Sequence, residues 1–299
     1  MKFNKPAITV SDQVALLKAR GLDIADAQAA ESYLSNINYY RLRAYTYPFQ
    51  DNTDANHPFN VKVSFDEIIN LYVFDRKLRM LIFDVVEKIE ISMRAQIIHT
   101  WAIKHGCHWQ LDPSLYRDAS KFASHITSLQ YEINRSNETF IEHYTTKYTS
   151  PASPPCWMSL EVSSFGLLSL LFQNLKKGDE KIAVTKYFGL NDVGLLENWM
   201  HCFSNIRNIC AHHGRLWNRR FTAHIKFPKY AKHTFIKDTS VYNYKLYAAM
   251  SCMQYILKVI NPQSSLFKDK LLELMDGCLL KQEKEMGFPK DWKAEKIWQ

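Results

Sequence analysis

Hydrophobic positions along the chain recur mostly at helical spacing. The longest such stretch runs from residue 65 to about 104, with Leu71, Phe74, Leu78, Val85, Ile89 and Met93 on one stripe. Ser64 and Glu67, three apart, form a capping-box signature at its start, and Gly106 punctuates its end. A helix of that length reaches roughly 60 Å, so a bend or break is expected within it. Upstream, Ser11 reads as the N-cap before Val14, Leu16 and Leu17, with Gly21 as the stop, and a second helix spans about 26–36. Downstream, two short helices are expected between Ser120 and Tyr148, and the run SPASPP at 150–155 breaks the pattern. One helix then spans about 158–175, ended by Gly178, and a short one precedes Gly189. Asn191 or Asp192 caps a helix reaching His212 or His213, with Gly214 as its stop. Residues 219–229 read as extended, and helices at about 241–260 and 264–284 form the tail. Strand signals are few, so the expected class is all-α.

Composition supports this picture. Gly and Pro number only 9 and 10, and 46% hydrophobic residues suffice for a sizeable core in 299 residues. That length suits one large domain or two small ones. The net charge of +8 is compatible with a polyanionic partner and equally with ordinary solubility. The six cysteines form no CxxC pair, the opening MKFNKPAITVSDQ has no apolar signal core, and no apolar run is long enough to span a bilayer. Reduced thiols, a cytoplasmic location and no membrane association are the expectations. The cluster His105-Gly106-Cys107-His108 lacks a second pair at zinc spacing, so no metal site is expected.

Two segments carry candidate chemistry. In residues 37–49, Arg41 and Arg43 interleave with Tyr39, Tyr40, Tyr45 and Tyr47. Such a segment can bind nucleic acid by stacking and neutralisation, or can be a packed helix with snorkelling arginines. The second segment is NIRNICAHHGRLWNRR, 205–220, which contains Arg-x4-His as Arg207 and His212. Chance alone gives roughly 0.4 matches to that spacing, and three occur, the others being Arg94/His99 and Arg219/His224. Spacing alone therefore does not decide. On a helical wheel Leu195, Trp199, Phe203, Ile206 and Cys210 share the buried face. His213 falls at its edge, His212 and Asn208 near the opposite pole, and Arg207 on the flank. An outward Asn–His pair beside an Arg fits a cleft or a subunit interface. It also fits a solvated face closed by cations, which the helix dipole favours. On the long helix, the wheel places His99 near the apolar face and Arg94 off it, with Glu90 four residues before Arg94 as an ion-pair partner. Trp157 reads as core. Arg219/His224 lies outside any helix and is set aside.

The segment RNICAHHGRLWNR resembles the Abi family of phage abortive-infection proteins. So do LLKARGLDIADAQAAESYLSNINYYRLRAY near the N-terminus, VEKIEISMRAQI at 86–97 and WMSLEVSSFGLLSLLF at 157–172. Together these are spread over most of the span from residue 11 to 220. The resemblance implies the HEPN superfamily, whose ribonucleases use Arg-[polar]-x3-His; that pattern falls on Arg207, Asn208 and His212. It further implies a HEPN-like helical core at about 61–235 with inserted loops. A helical region at 1–60 and a helical extension at 236–299 flank it, all in one compact unit. The implied activity is metal-independent RNA cleavage, without cofactor, in a homodimer that pairs two motifs. RNA is the implied partner, as substrate and as a small regulatory non-coding RNA.

Those residue types suit such chemistry. Histidine serves as acid or base near neutral pH, and arginine grips phosphate oxygens in a bidentate manner. Asn208 is placed to orient either. His213, Glu161, Arg94 and Glu90 are supporting candidates, with Glu161 expected to orient Arg207 across helices. Arg215, Arg219 and Arg220 follow the motif and suit RNA backbone, or form a solvated charge run. Two other readings stay open: a non-catalytic RNA-binding protein of the same fold bound to a small non-coding RNA, and a helical protein-interaction module.

Overall fold

Thr9 opens the first helix. Its hydroxyl accepts the Asp12 amide at 3.1 Å while Asp12 Oδ2 accepts the Thr9 amide at 3.2 Å, and α1 runs Val10–Ala19. Ser11, the expected cap, lies one residue inside. The residue three beyond Ser11 is Val14, which cannot close a reciprocal box, whereas Asp12 can. Asp26 caps α2, Ala27–Ile37, through the Ala29 amide at 3.0 Å. Asn38 then starts α3, Tyr39–Thr46, which buries Leu42 and Tyr45. The expected Ser64–Glu67 box is present, with Ser64 N donating to Glu67 Oε2 at 2.8 Å, and it opens α4, Phe65–His105.

Of the expected bend or break, a break is absent: α4 is one continuous helix from Phe65 to His105. No Pro or Gly lies between Phe65 and His105, so nothing in the backbone chemistry interrupts the hydrogen-bond ladder. It stops at Gly106, whose φ of 83° turns the chain left-handed.

The structure, a computed structural model, describes residues 2, 6–280 and 283–299. Among the described residues the regular elements are all helical, with only isolated bridges of extended backbone. The chain is all-α. No helix among these residues is long and apolar enough to cross a membrane. Two compact units emerge, one of residues up to 79 with 271–280, the other of 80–270 with 283–299.

In the first unit α1 packs on α2 and α2 on α3. Leu17, Ala30, Leu34, Leu42, Ile68, Leu71, Phe74 and Leu78 form its core. Within this core Tyr45 donates to Asp75 Oδ2 at 2.6 Å, and Arg79 meets the same oxygen at 2.5 Å.

The second unit carries the candidate site. After the rest of α4 come α5, Ala119–Asn134, α6, Thr139–Lys147, and α7, Cys156–Ser159. Then follow α8, Phe165–Asn174, α9, Asp179–Tyr187, α10, Val193–Ala211, and α11, Leu246–Ile260. Helix α8 is the hub, packing on both α5 and α10, with Phe165, Leu168, Leu171 and Phe172 fully enclosed. Each such side chain stabilises the fold by about 1.5–3 kcal/mol.

One expected helix, 158–175, is instead two, α7 and α8, separated at 160–164. The cause lies outside the segment. The Arg94 guanidinium takes the carbonyl oxygens of Leu160, Glu161 and Ser163, groups that a continuous helix would use internally. Ser164 then caps α8 through the Leu167 amide. The tail also differs. Helix α11 begins at Leu246 rather than 241, because the Asn243 and Tyr244 carbonyls accept the amides of Ile225 and Phe221. Helix α12, Leu266–Asp276, ends before Gly277, and the short α13 is Glu283–Met286.

Candidate active site

Helix α10 positions the motif. Asp192 caps it through the Gly194 amide at 2.9 Å, and Leu195, Trp199, Phe203, Ile206 and Cys210 face the core. The extended segment 219–229 folds back along this helix. Asn198 holds it from both sides: its Nδ2 donates to the His224 carbonyl at 3.0 Å, and its Oδ1 accepts the Lys226 amide at 2.7 Å. Trp199 Nε1 adds a bond to the Lys226 carbonyl at 2.7 Å.

Helix α10 ends at Ala211, with His212 as C-cap. The His213 amide bonds the Cys210 carbonyl at 3.1 Å and the Gly214 amide bonds Ile209 at 2.8 Å, a Schellman closure. The left-handed residue in it is His213, φ 56°, rather than the expected Gly214. Glycine at 214 keeps the turn uncrowded: a Cβ there would come within 3.2 Å of Ile209 Cγ2 and 3.3 Å of Arg219 Nη1. His213 is exposed, because the helical wheel no longer applies beyond Ala211.

His212 and Asn208 are exposed and line a cavity of about 400 Å³ between the end of α10 and the returning segment. Arg219 and Arg220 stand on the same lining. Cys202, also there, is no nucleophile: burial pushes its thiol up to about 12.

Arg207 lies on the flank of α10 toward α4. Its Nε is 4.0 Å from Glu90 Oε2, its guanidinium sits 5.6 Å from the Phe83 ring centre, and its Nη1 donates to Asn208 Oδ1 at 3.4 Å. Glu90 is itself held by Arg94, Oε1 to Nη2 at 2.5 Å. A continuous polar chain therefore runs from the 160–163 carbonyls through Arg94 and Glu90 to Arg207 and Asn208.

Some expectations are corrected by this arrangement. The carboxylate against Arg207 is Glu90; Glu161 is exposed and offers Arg94 its backbone carbonyl. Arg94 is buried and His99 exposed, the reverse of the wheel, because the 160–163 loop covers Arg94. Trp157, expected in the core, is 49% exposed. Arg215 gives its carbonyl to Arg219 Nη1 at 3.2 Å, and Arg220 lies over the Tyr244 ring at 5.5 Å. In the first unit Arg41 is half-buried over Tyr72, with Nε donating to its hydroxyl at 3.3 Å, and Arg43 lies over Tyr47. His105 meets Glu180 at 2.8 Å, and no group of three or more His, Cys, Asp or Glu among the described residues is arranged to hold a metal ion.

Asn205, Phe83 and Phe221 were missed. Asn205 had a signal, since 205, 208 and 212 follow one outward helical stripe. Phe83 and Phe221 reach the site only through tertiary packing.

A family model described as Abi-like protein matches residues 32–218, more than half of the chain. The chain belongs to that family. The matched span holds Glu90, Arg94, Arg207, Asn208 and His212, and it stops one residue before Arg219. Membership suggests a role in abortive-infection defence against phage. No curated protein and no solved structure matches the chain.

Proposed function

We propose that this protein is a metal-independent HEPN-type endoribonuclease of abortive-infection defence. The observation that carries the reading is the end of α10. An exposed His212 and Asn208 line a cavity bearing two further arginines, and Asn208 in turn accepts from an Arg207 that Glu90 and Phe83 hold on the α4 side. A histidine takes the proton of a ribose 2′-OH, the 2′-oxygen attacks the neighbouring phosphorus, and the P–O5′ bond breaks. A second histidine gives its proton to the departing 5′-oxygen. The products are a 2′,3′-cyclic phosphate and a 5′-hydroxyl. Arg207 holds the charge of the pentacoordinate phosphate. Two copies of the chain supply both histidines. The exposed apolar residues Met80 (63%), Phe83 (36%) and Ile91 (54%), on the same helix as Glu90, support pairing of copies on that side.

The test is cleavage of total cellular RNA in EDTA by the wild-type protein and by His212→Ala, with end-group analysis. The expected outcome is cyclic-phosphate ends from the wild type. The variant should lose about 10²–10⁴-fold in rate with unchanged melting temperature. Equal cleavage by both proteins sinks the role of His212. Salt-dependent binding without cleavage in either favours the alternative, an RNA-binding protein in complex with a small non-coding RNA.

A further inference from the structure

All six cysteines are free thiols. Cys107 alone is exposed; Cys278 is half-buried and the other four are buried. Cys107 follows Gly106 at the end of α4, and its Sγ lies 3.2 Å from Nδ1 of His108. The Nε2 atom of that ring is enclosed by protein and has no hydrogen-bond partner among the described residues. Nδ1 is therefore the nitrogen that can pass a proton, and what it faces is the thiol. An imidazole so placed takes up the thiol proton when the sulfur attacks.

A second thiol belongs to the same corner of the fold. The Cys156 amide donates to the Cys107 carbonyl at 2.7 Å. Covalent geometry then keeps the two Cα atoms within about 6.6 Å of each other. A disulfide spans about 4.4–6.8 Å between Cα atoms. The Cys156 side chain is fully buried; burial pushes its thiol up, and the nearby Cys107 adds to the rise. Cys156 thus stays protonated and hidden from an oxidant in solution, while Cys107 is open to it.

We propose that Cys107 and Cys156 form a peroxide-driven disulfide, in which Cys107 meets the oxidant and His108 carries its proton. The Cys107 sulfur attacks one oxygen of hydrogen peroxide as its proton passes to His108 Nδ1, and the O–O bond breaks. The departing hydroxide takes that proton and leaves as water, and Cys107 is left as a sulfenic acid. The Cys156 sulfur then attacks the Cys107 sulfur, and the S–O bond breaks. Hydroxide leaves as water with the Cys156 proton. One peroxide oxidises two thiols and ends as two waters.

The link closes residues 108–155, which carry α5 and α6, into a loop and ties the end of α4 to the start of α7. Cys156 is one turn from the 160–163 loop, since its carbonyl accepts the Leu160 amide at 2.9 Å. That loop is what Arg94 of α4 grips. Oxidation therefore locks covalently a frame that hydrogen bonds hold in the reduced protein. The inference stands apart from the reaction at His212.

The experiment treats the full chain with hydrogen peroxide, blocks the remaining thiols by alkylation, and maps its peptides by mass spectrometry without reduction. The expected result is an intramolecular Cys107–Cys156 link, reversed by dithiothreitol, with Cys202, Cys210 and Cys252 unmodified. The link should raise the melting temperature by at least about 4 °C. Cys107→Ser, at an exposed position, should abolish the link and the rise, and leave the melting temperature of the reduced protein unchanged. Cys156→Ser should leave a sulfenic acid on Cys107 that dimedone traps; the wild-type map and Cys107→Ser decide even where this buried variant does not fold. His108→Gln should slow the loss of the Cys107 thiol at least about tenfold. Both thiols still free after peroxide, a link between two chains instead, or Cys278 oxidised as fast as Cys107 each overturns the proposal. A link without a rise in melting temperature overturns the lock, and an unchanged rate in His108→Gln overturns the role of His108.

Discussion

Helix α4 carries the same device twice. Asp75 and Arg79 form an i,i+4 pair at 2.5 Å, and so do Glu90 and Arg94. The first pair closes on itself: its side chains are 0% and 5% exposed, and the Tyr45 hydroxyl completes it from α3. Burial and the nearby Asp75 carboxylate push the Tyr45 phenol up, so it stays a neutral donor. The second pair is handed onward. Arg94 turns its other nitrogen to the 160–163 loop, and Glu90 turns its other oxygen toward Arg207, a residue at the edge of solvent. Identical spacing thus yields a purely structural clasp in one unit and, in the other, a mount for an exposed cation. What separates them is the element facing the carboxylate.

Removing one partner should damage stability at both places. Asp75→Ala and Arg94→Ala should each lower unfolding free energy by about 3–5 kcal/mol, since a buried charge is left alone. Chemical denaturation measures this, and losses under about 1 kcal/mol would show that water already screens the pair. A sharper contrast comes from the isosteric changes. Glu90→Gln should lower kcat by about 10–100-fold through a misplaced Arg207, with KM little changed. Asp75→Asn should leave kcat of the folded protein as it is. Equal effects of the two on kcat would erase the distinction drawn here.

A third acid beside α4 provides the mildest test. Lys104 donates to Glu180 Oε1 at 2.5 Å, and His105 meets the same oxygen at 2.8 Å. The Lys104 hydrogen bond, ahead of the helix-end amides and His105, lowers the Glu180 carboxyl from 4.5 to about 2. Because the folded value lies below the unfolded one, this contact stabilises above pH 4.5 and is lost as pH falls toward 2. Glu180→Gln should flatten that limb of the stability–pH curve; an unaltered limb would mean the exposed Lys104 contributes nothing.

The sequence made legible whatever is decided locally. The Ser64–Glu67 box, the uninterrupted apolar stripe of α4, the Asp192 cap and the outward placement of Asn208 and His212 all follow from neighbours within a turn or two. Errors arose where a distant group intervenes. The division of α7 from α8 depends on a guanidinium about 66 positions upstream, and so does the burial of Arg94 itself. The left-handed position falls on His213 although the adjacent glycine is the usual residue for it, and glycine at 214 instead relieves crowding. Nothing local to Arg207 points to Glu90, which only tertiary packing brings to it.

Asn198 lies on α10 against the returning segment. With one donor and one acceptor it replaces a neighbouring strand for the segment that walls the cavity. On the α10 side the register of that wall is set by side chains, Asn198 together with Trp199 and Cys202, rather than by a ladder of amides. Residues before His224 are therefore indexed to the helix, while those after Lys226 are not. A lineage could lengthen the chain beyond Lys226 and keep its pocket, but one residue gained or lost between Arg219 and His224 would give a pocket of another shape. That makes this short stretch the place where a change in length would most alter the cavity beside His212 and Asn208.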